Sequence, residues 1–175
     1  MSKLRLFKYP APILRKQALV VKNVDGDLIK TAEEMLTLMY ENKGVGLAGP
    51  QAGISKRVLV LDLREDNQPV YVMINPKITK REGSAETEEG CLSLPEIFAD
   101  VKRAARVQVS YVDRDGNEQL LEAEGFLARA IQHEIDHLNG VLFIDRLGDT
   151  RRQVLAPQLR ALAEATEEED EENAG

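Results

Sequence analysis

The only two histidines of this chain, His133 and His137, stand four residues apart, and that spacing constrains the fold more than any other feature. Residues i and i+4 share one face of an α-helix, so a helix makes the two imidazoles converge on a single point. The surrounding pattern agrees. Leu127, Ala130, Ile131, Glu134 and Leu138 recur at 3.6-residue spacing after Gly125, and Asn139-Gly140 supplies the stop. That helix carries Gln132-His133-Glu134-Ile135-Asp136-His137. Two imidazoles with a glutamate between them are the parts of a hydrolytic metal centre, with Glu134 placed to take a proton from water. A third protein ligand has to come from Asp, Glu or the only cysteine, Cys91. The bland alternative, an amphipathic helix on which two scarce histidines fall by chance, is weakened by the rest of the chain.

Upstream, Leu28, Ala32, Met35, Leu36 and Met39 fall at helical spacing between Asp25-Gly26 and Asn42-Lys43-Gly44, with the methionines as core. The segment Gly44-Val45-Gly46-Leu47-Ala48-Gly49-Pro50-Gln51 reads as a loop whose glycines mark a sharp turn or a close approach. Strands are expected over 57–63, 70–74, 107–113 and 119–124, with a shorter one at 77–80 and a turn at Asp115-Gly116. A last helix is expected over about 150–165. The resulting fold class is α+β: short antiparallel strands packed around a central HExxH helix, with an N-terminal and a C-terminal helix.

With 175 residues, 43% of them hydrophobic, the chain fits one catalytic domain, residues 1–165, followed by an acidic, frayed tail at 166–175. Seven acids after Arg160 account for the whole net charge of −7, and the rest balances 23 acids against 23 bases. That balance argues against a DNA-binding surface. No apolar run suggests a membrane span or a signal peptide, and a lone cysteine suits a reducing cytoplasm.

Cys91 lies in Glu88-Glu89-Gly90-Cys91-Leu92-Ser93-Leu94-Pro95, where polar neighbours speak against a merely buried thiol. One thiolate and two imidazoles form an ordinary three-ligand set with an open fourth position. Three segments thus occur in order: the glycine-rich loop ending at Gln51, Glu89-Gly90-Cys91-Leu92-Ser93, and Gln132 to Gly140. Together they resemble the peptide deformylase family over about Met1 to Leu147. The resemblance implies removal of the formyl group from the N-terminal methionine of nascent polypeptides, with release of formate. It further implies Cys91, His133 and His137 as ligands of one divalent cation, Fe2+ by family, with Zn2+, Ni2+ or Co2+ also accepted by such donors. Glu134 becomes the general acid/base, Gln51 and the Leu92 N–H stabilise the oxyanion, and Gly46 lines the cleft. Val45, Phe126, Ala130 and the stem of Arg129 lie beside these motifs, where they would wall a pocket for the methionine side chain.

Two departures from the family pattern carry expectations of their own. Gly49 replaces an alanine and is expected to loosen the loop holding Gln51. The acidic tail replaces the basic helix with which some members dock on the ribosome, so docking through this end is disfavoured. The nearest rival is a zinc endopeptidase, because His133 to Gly140 spells H-E-x-x-H-x-x-G. Its third histidine would fall at position 143, which is Phe143, and a glutamate ligand would have to come from the region of Glu164.

Overall fold

The computed structural model describes residues 3–175; Met1 and Ser2, which open the expected catalytic domain, lie outside the described residues. Helix α1 (Gly26–Glu41) begins where the Asp25 carboxylate accepts a hydrogen bond from the Leu28 N–H, which satisfies a donor the helix cannot use itself. It is followed by β1 (Gly46–Ala48), β2 (Val58–Leu61), β3 (Tyr71–Glu82), β4 (Ala85–Cys91), β5 (Leu94–Arg103), β6 (Arg106–Val112) and β7 (Glu118–Glu124). Helices α2 (Gly125–Leu138) and α3 (Asp149–Ala174) complete the chain. Five strands form one antiparallel sheet in the order β1-β2-β3-β6-β7, while β4 and β5 form a separate hairpin.

The sheet lies between the first two helices. Along β2, Leu59 and Leu61 join Ile131, Ile135 and Leu138 of α2, whereas Val58 and Val60 join Ala32, Met35 and Met39 of α1. Successive strand side chains point to opposite faces, so a strand covered on both sides is apolar throughout, as Val58-Leu59-Val60-Leu61 is. A third cluster packs Leu94, Ile97 and Val101 of β5 against Leu142, Phe143, Ile144 and Leu155. The hairpin that carries Cys91 is thus held against the end of α2. Helix α2 stops as its sequence requires: at Gly140 (φ 73°) a side chain would lie 2.5 Å from the Arg15 carbonyl.

The α+β class and all three helices agree with the sequence, and five details differ. No strand was expected over Leu94–Arg103, which is β5. Residues 46–48 are a buried strand rather than loop. The short strand at 77–80 is the interior of twelve-residue β3, whose register shifts twice against β6. Strand β4 was not legible, because Ala-Glu-Thr-Glu-Glu-Gly has neither apolar alternation nor β-branched character and is formed by pairing with β5. Finally, the segment expected as a frayed tail is helical. α3 continues through the expected boundary at 165 to Ala174. Ion pairs Arg5–Asp170 (3.1 Å) and Lys8–Glu169 (3.4 Å), together with buried Thr166, hold its acidic end on the N-terminal segment.

Candidate metal centre

Helix α2 brings His133 and His137 one above the other, with their Nε2 atoms 3.3 Å apart. Cys91, at the end of β4, places its Sγ 3.3 Å from His137 Nε2. The three donor atoms lie within 4.8 Å of one another. Such clustering of unlike donors suits a single small cation. His133 offers Nε2 because its other nitrogen, Nδ1, lies 2.9 Å from Glu89 Oε1, and a partner on one ring nitrogen fixes what the other can do.

Glu89 is the hub of a buried charge network. Arg103 donates to both of its oxygens at 2.6 and 2.9 Å, and Arg129 donates to it as well. The other end of the Arg103 guanidinium reaches Asp136 at 2.9 Å, and Arg146 donates twice to Asp136. Burial alone would raise the Glu89 carboxyl, but the hydrogen bonds and charges of His133 and Arg103 outweigh it and hold it at about 2. The two imidazoles are driven apart. Burial disfavours the charge on His133, yet Cys91 and Glu89 outweigh it and raise that ring, while burial and the charge on His133 lower His137. Adjacent buried rings cannot both be protonated, and a cation requires both neutral.

Glu134 sits one residue beyond His133 and is 5% exposed. Burial pushes its carboxyl up to about 7. Its Oε1 and the Nδ1 of His137 are enclosed polar atoms with no hydrogen-bond partner among the described residues. An orphaned carboxylate oxygen beside three soft and borderline donors fits a site completed by a cation and water. Gly46 makes room for it, because a side chain there would lie 2.5 Å from Glu134 Oε2.

Gln51 is pinned at both ends of its amide. Its Oε1 accepts from the Ala48 N–H at 2.9 Å, and its Nε2 donates to Ser93 Oγ at 3.1 Å and to Cys91 Sγ at 3.5 Å. Gly49 does not loosen this loop. A side chain there would stand 2.6 Å from the carbonyls of Ile54 and Lys56, so the glycine permits tight packing of the turn Gly49–Ala52.

These residues border one cleft of about 600 Å3 between α2, the Gly44 to Gly46 segment and the β4–β5 hairpin. Val45, Gly46, Gln51, Cys91, Leu92, Phe126, Arg129, Ala130, His133 and Glu134 all face it, and His137 lies behind. Arg129 is not a surface charge: it is 8% exposed and its guanidinium also donates to the carbonyls of Val101 and Ala85. The sequence reading missed Arg103 and gave Glu89 and Asp136 no role. An arginine at an inward position of a strand, as in Val101-x-Arg103, was the available signal. Phe143, in the place of a third histidine, is core and stacks beside His133 with ring centroids 6.1 Å apart.

The sulfur of Cys91 and two imidazoles beside a glutamate, at the floor of an open cleft, are the parts of a metal-dependent hydrolase. The chain belongs to the polypeptide deformylase family, whose model matches residues 3–153. A peptide deformylase of Nitrosococcus oceani is 48% identical over 153 residues, covering 87% of this chain and 92% of that protein. That of Thermodesulfovibrio yellowstonii is 46% identical, covering 91% and 98%. Among solved structures, the enzyme from Thermus thermophilus superposes with a TM-score of 0.86 at 46% identity, over 94% of this chain and 97% of that one. A plant peptide deformylase gives 0.91 at 34% identity, over 97% and 94%.

Proposed function

We propose that this protein removes the N-formyl group from the N-terminal methionine of nascent polypeptides and releases formate, using one divalent cation held by Cys91, His133 and His137. The observation that carries this reading is the convergence of those three donors beside the unpartnered oxygen of Glu134. The ion is Fe2+ in this proposal, although one thiolate and two imidazoles also accept Zn2+, Ni2+ or Co2+. When bound, it supplies Lewis acidity toward water and toward the formyl oxygen.

Glu134 accepts the proton of the attacking water and delivers it to the amine that leaves as the C–N bond breaks. A carboxyl lifted to about 7 by burial is matched to both halves of that task near neutral pH. Gln51 Nε2 and the Leu92 N–H face the oxygen that gains charge; each such donor is worth on the order of a hundredfold in rate. Val45, Phe126, Ala130 and the stem of Arg129 wall the methionine side chain. Glu89 acts through His133 by keeping its Nε2 directed at the cation. The reaction belongs to the cytoplasm, where Cys91 stays reduced, and the acidic end of α3 offers no basic surface for ribosomal RNA.

Substituting Glu134→Gln tests the assignment. Turnover of formyl-Met-Ala-Ser should be nearly abolished with one metal per chain retained; undiminished turnover would refute the role of Glu134. Cleavage of an internal peptide bond by the wild-type protein would favour the endopeptidase.

A further inference from the structure

The catalytic cleft does not end at its mouth. A second groove of about 400 Å3 runs from it between the start of β5 and the exposed side of α3, and Lys8, Pro95 and Glu96 line both. The groove walls are apolar, formed by Pro95 and Ile97 on one side and Ala161, Leu162 and Ala165 on the other. Charge lies at the rim. Glu96 is exposed, and Glu169 meets Lys8 at 3.4 Å, so two carboxylates face one ammonium. Thr166, which also lines the groove, is 5% exposed and its hydroxyl has no hydrogen-bond partner among the described residues.

An extended peptide advances about 3.3 Å per residue, with alternate side chains on opposite sides. A chain held by its formylated end beside Glu134 has to leave the cleft along a continuous surface, and this groove is continuous with it. Its apolar walls suit aliphatic side chains, and its excess of negative charge suits a lysine or arginine. Resting on the deformylase reading above, we propose that the groove between β5 and α3 is a distal subsite for the peptide segment downstream of the N-formylmethionine, selecting aliphatic and basic residues. α3 is then part of the substrate surface, with Glu96 and Glu169 as its specificity-determining residues.

The test compares formyl-Met-Ala-Ser with the same tripeptide extended by Leu-Lys-Leu-Lys or by Leu-Glu-Leu-Glu. At low salt the basic extension should lower KM by about threefold to tenfold with kcat unchanged, as expected for exposed ion pairing combined with apolar contact, and the acidic one should not. Added salt should erase most of the difference. Glu169→Lys should reverse the charge preference, and Ala161→Trp, which fills the groove, should remove the gain, each read as the ratio of extended-peptide KM to tripeptide KM within the same variant. Equal KM for all three peptides, or a basic preference unchanged in both variants, overturns the subsite alone. Failure of the wild-type protein to deformylate even the tripeptide overturns the function and the subsite with it.

Discussion

Glu134 and Gly46 share a space that holds only one side chain. The Glu134 carboxylate reaches the cleft because Gly46 presents no Cβ; one built there meets Oε2 at 2.5 Å and Leu61 Cδ2 at 2.8 Å. The flanking strand and helix leave the carboxylate as the group that moves. Gly46→Ala should therefore cost about a hundredfold in kcat, the penalty of misplacing a catalytic group by roughly 1 Å, while metal content stays at one per chain. Parallel measurement of turnover and bound metal checks this, and wild-type kcat in Gly46→Ala would remove the steric argument. At this scale the sequence was most readable where spacing itself encodes geometry, as in His133-x-x-x-His137. It was least readable where partners come from distant strands: Arg103 meets Glu89 and Asp136 only after β4, β5 and α2 have packed. Gly49 shows a further limit, since the same glycine can loosen a loop or allow two carbonyls to close on it, and only the packing decides.

Among the elements, α3 departs most from its sequence. Six consecutive acids at 167–172 lie near a helix C-terminus, where the macrodipole disfavours negative charge, so local propensity alone predicts fraying. Contacts distant in sequence reverse that outcome: Asp170 meets Arg5, Glu169 meets Lys8, and Thr166 is buried beside Leu6 and Leu38. The docked segment reaches the site indirectly. Phe7 donates its N–H to the Gln51 carbonyl, and its own carbonyl accepts from Ser93 Oγ, the hydroxyl that also receives Gln51 Nε2. Exposed ion pairs are each worth about 0–1 kcal/mol, so deletion of residues 166–175 should lower the thermal midpoint by a few degrees. Tripeptide turnover should stay within about twofold of the full chain, because the Ser93 and Gln51 bonds do not involve α3. Thermal melts and kinetics of the truncated protein decide between this and a frayed tail, for which the midpoint would not move.

Across the whole molecule, the metal centre is where separate packing units meet. Cys91 belongs with the β5 cluster, the histidines ride on the helix that covers the sheet, and the buried ion pairs of Arg103 with Glu89 and Asp136 tie hairpin to helix, while half-exposed Arg146 joins the following turn to Asp136. Removing one partner from such a network leaves an uncompensated buried charge, costing several kcal/mol, so the network fixes relative position more than it adds net stability. This joint was hidden in the sequence because the polar run of β4 does not reveal a strand. On the proposed ligand set, a cation held by Cys91 together with His133 and His137 would add a further tie between hairpin and helix and would bind the folded chain in preference to the unfolded one. Chelation should therefore lower the thermal midpoint. Restoring free metal to a hundredfold above its Kd should return about 2.7 kcal/mol of stability. Cys91→Ser should shift that titration to higher metal concentration, since a hydroxyl is a poorer ligand than a thiolate. The measurement is a melt series at buffered metal concentrations, with metal content determined at each point. A midpoint unchanged after verified metal removal would show that hairpin and helix are joined by the ion-pair network alone.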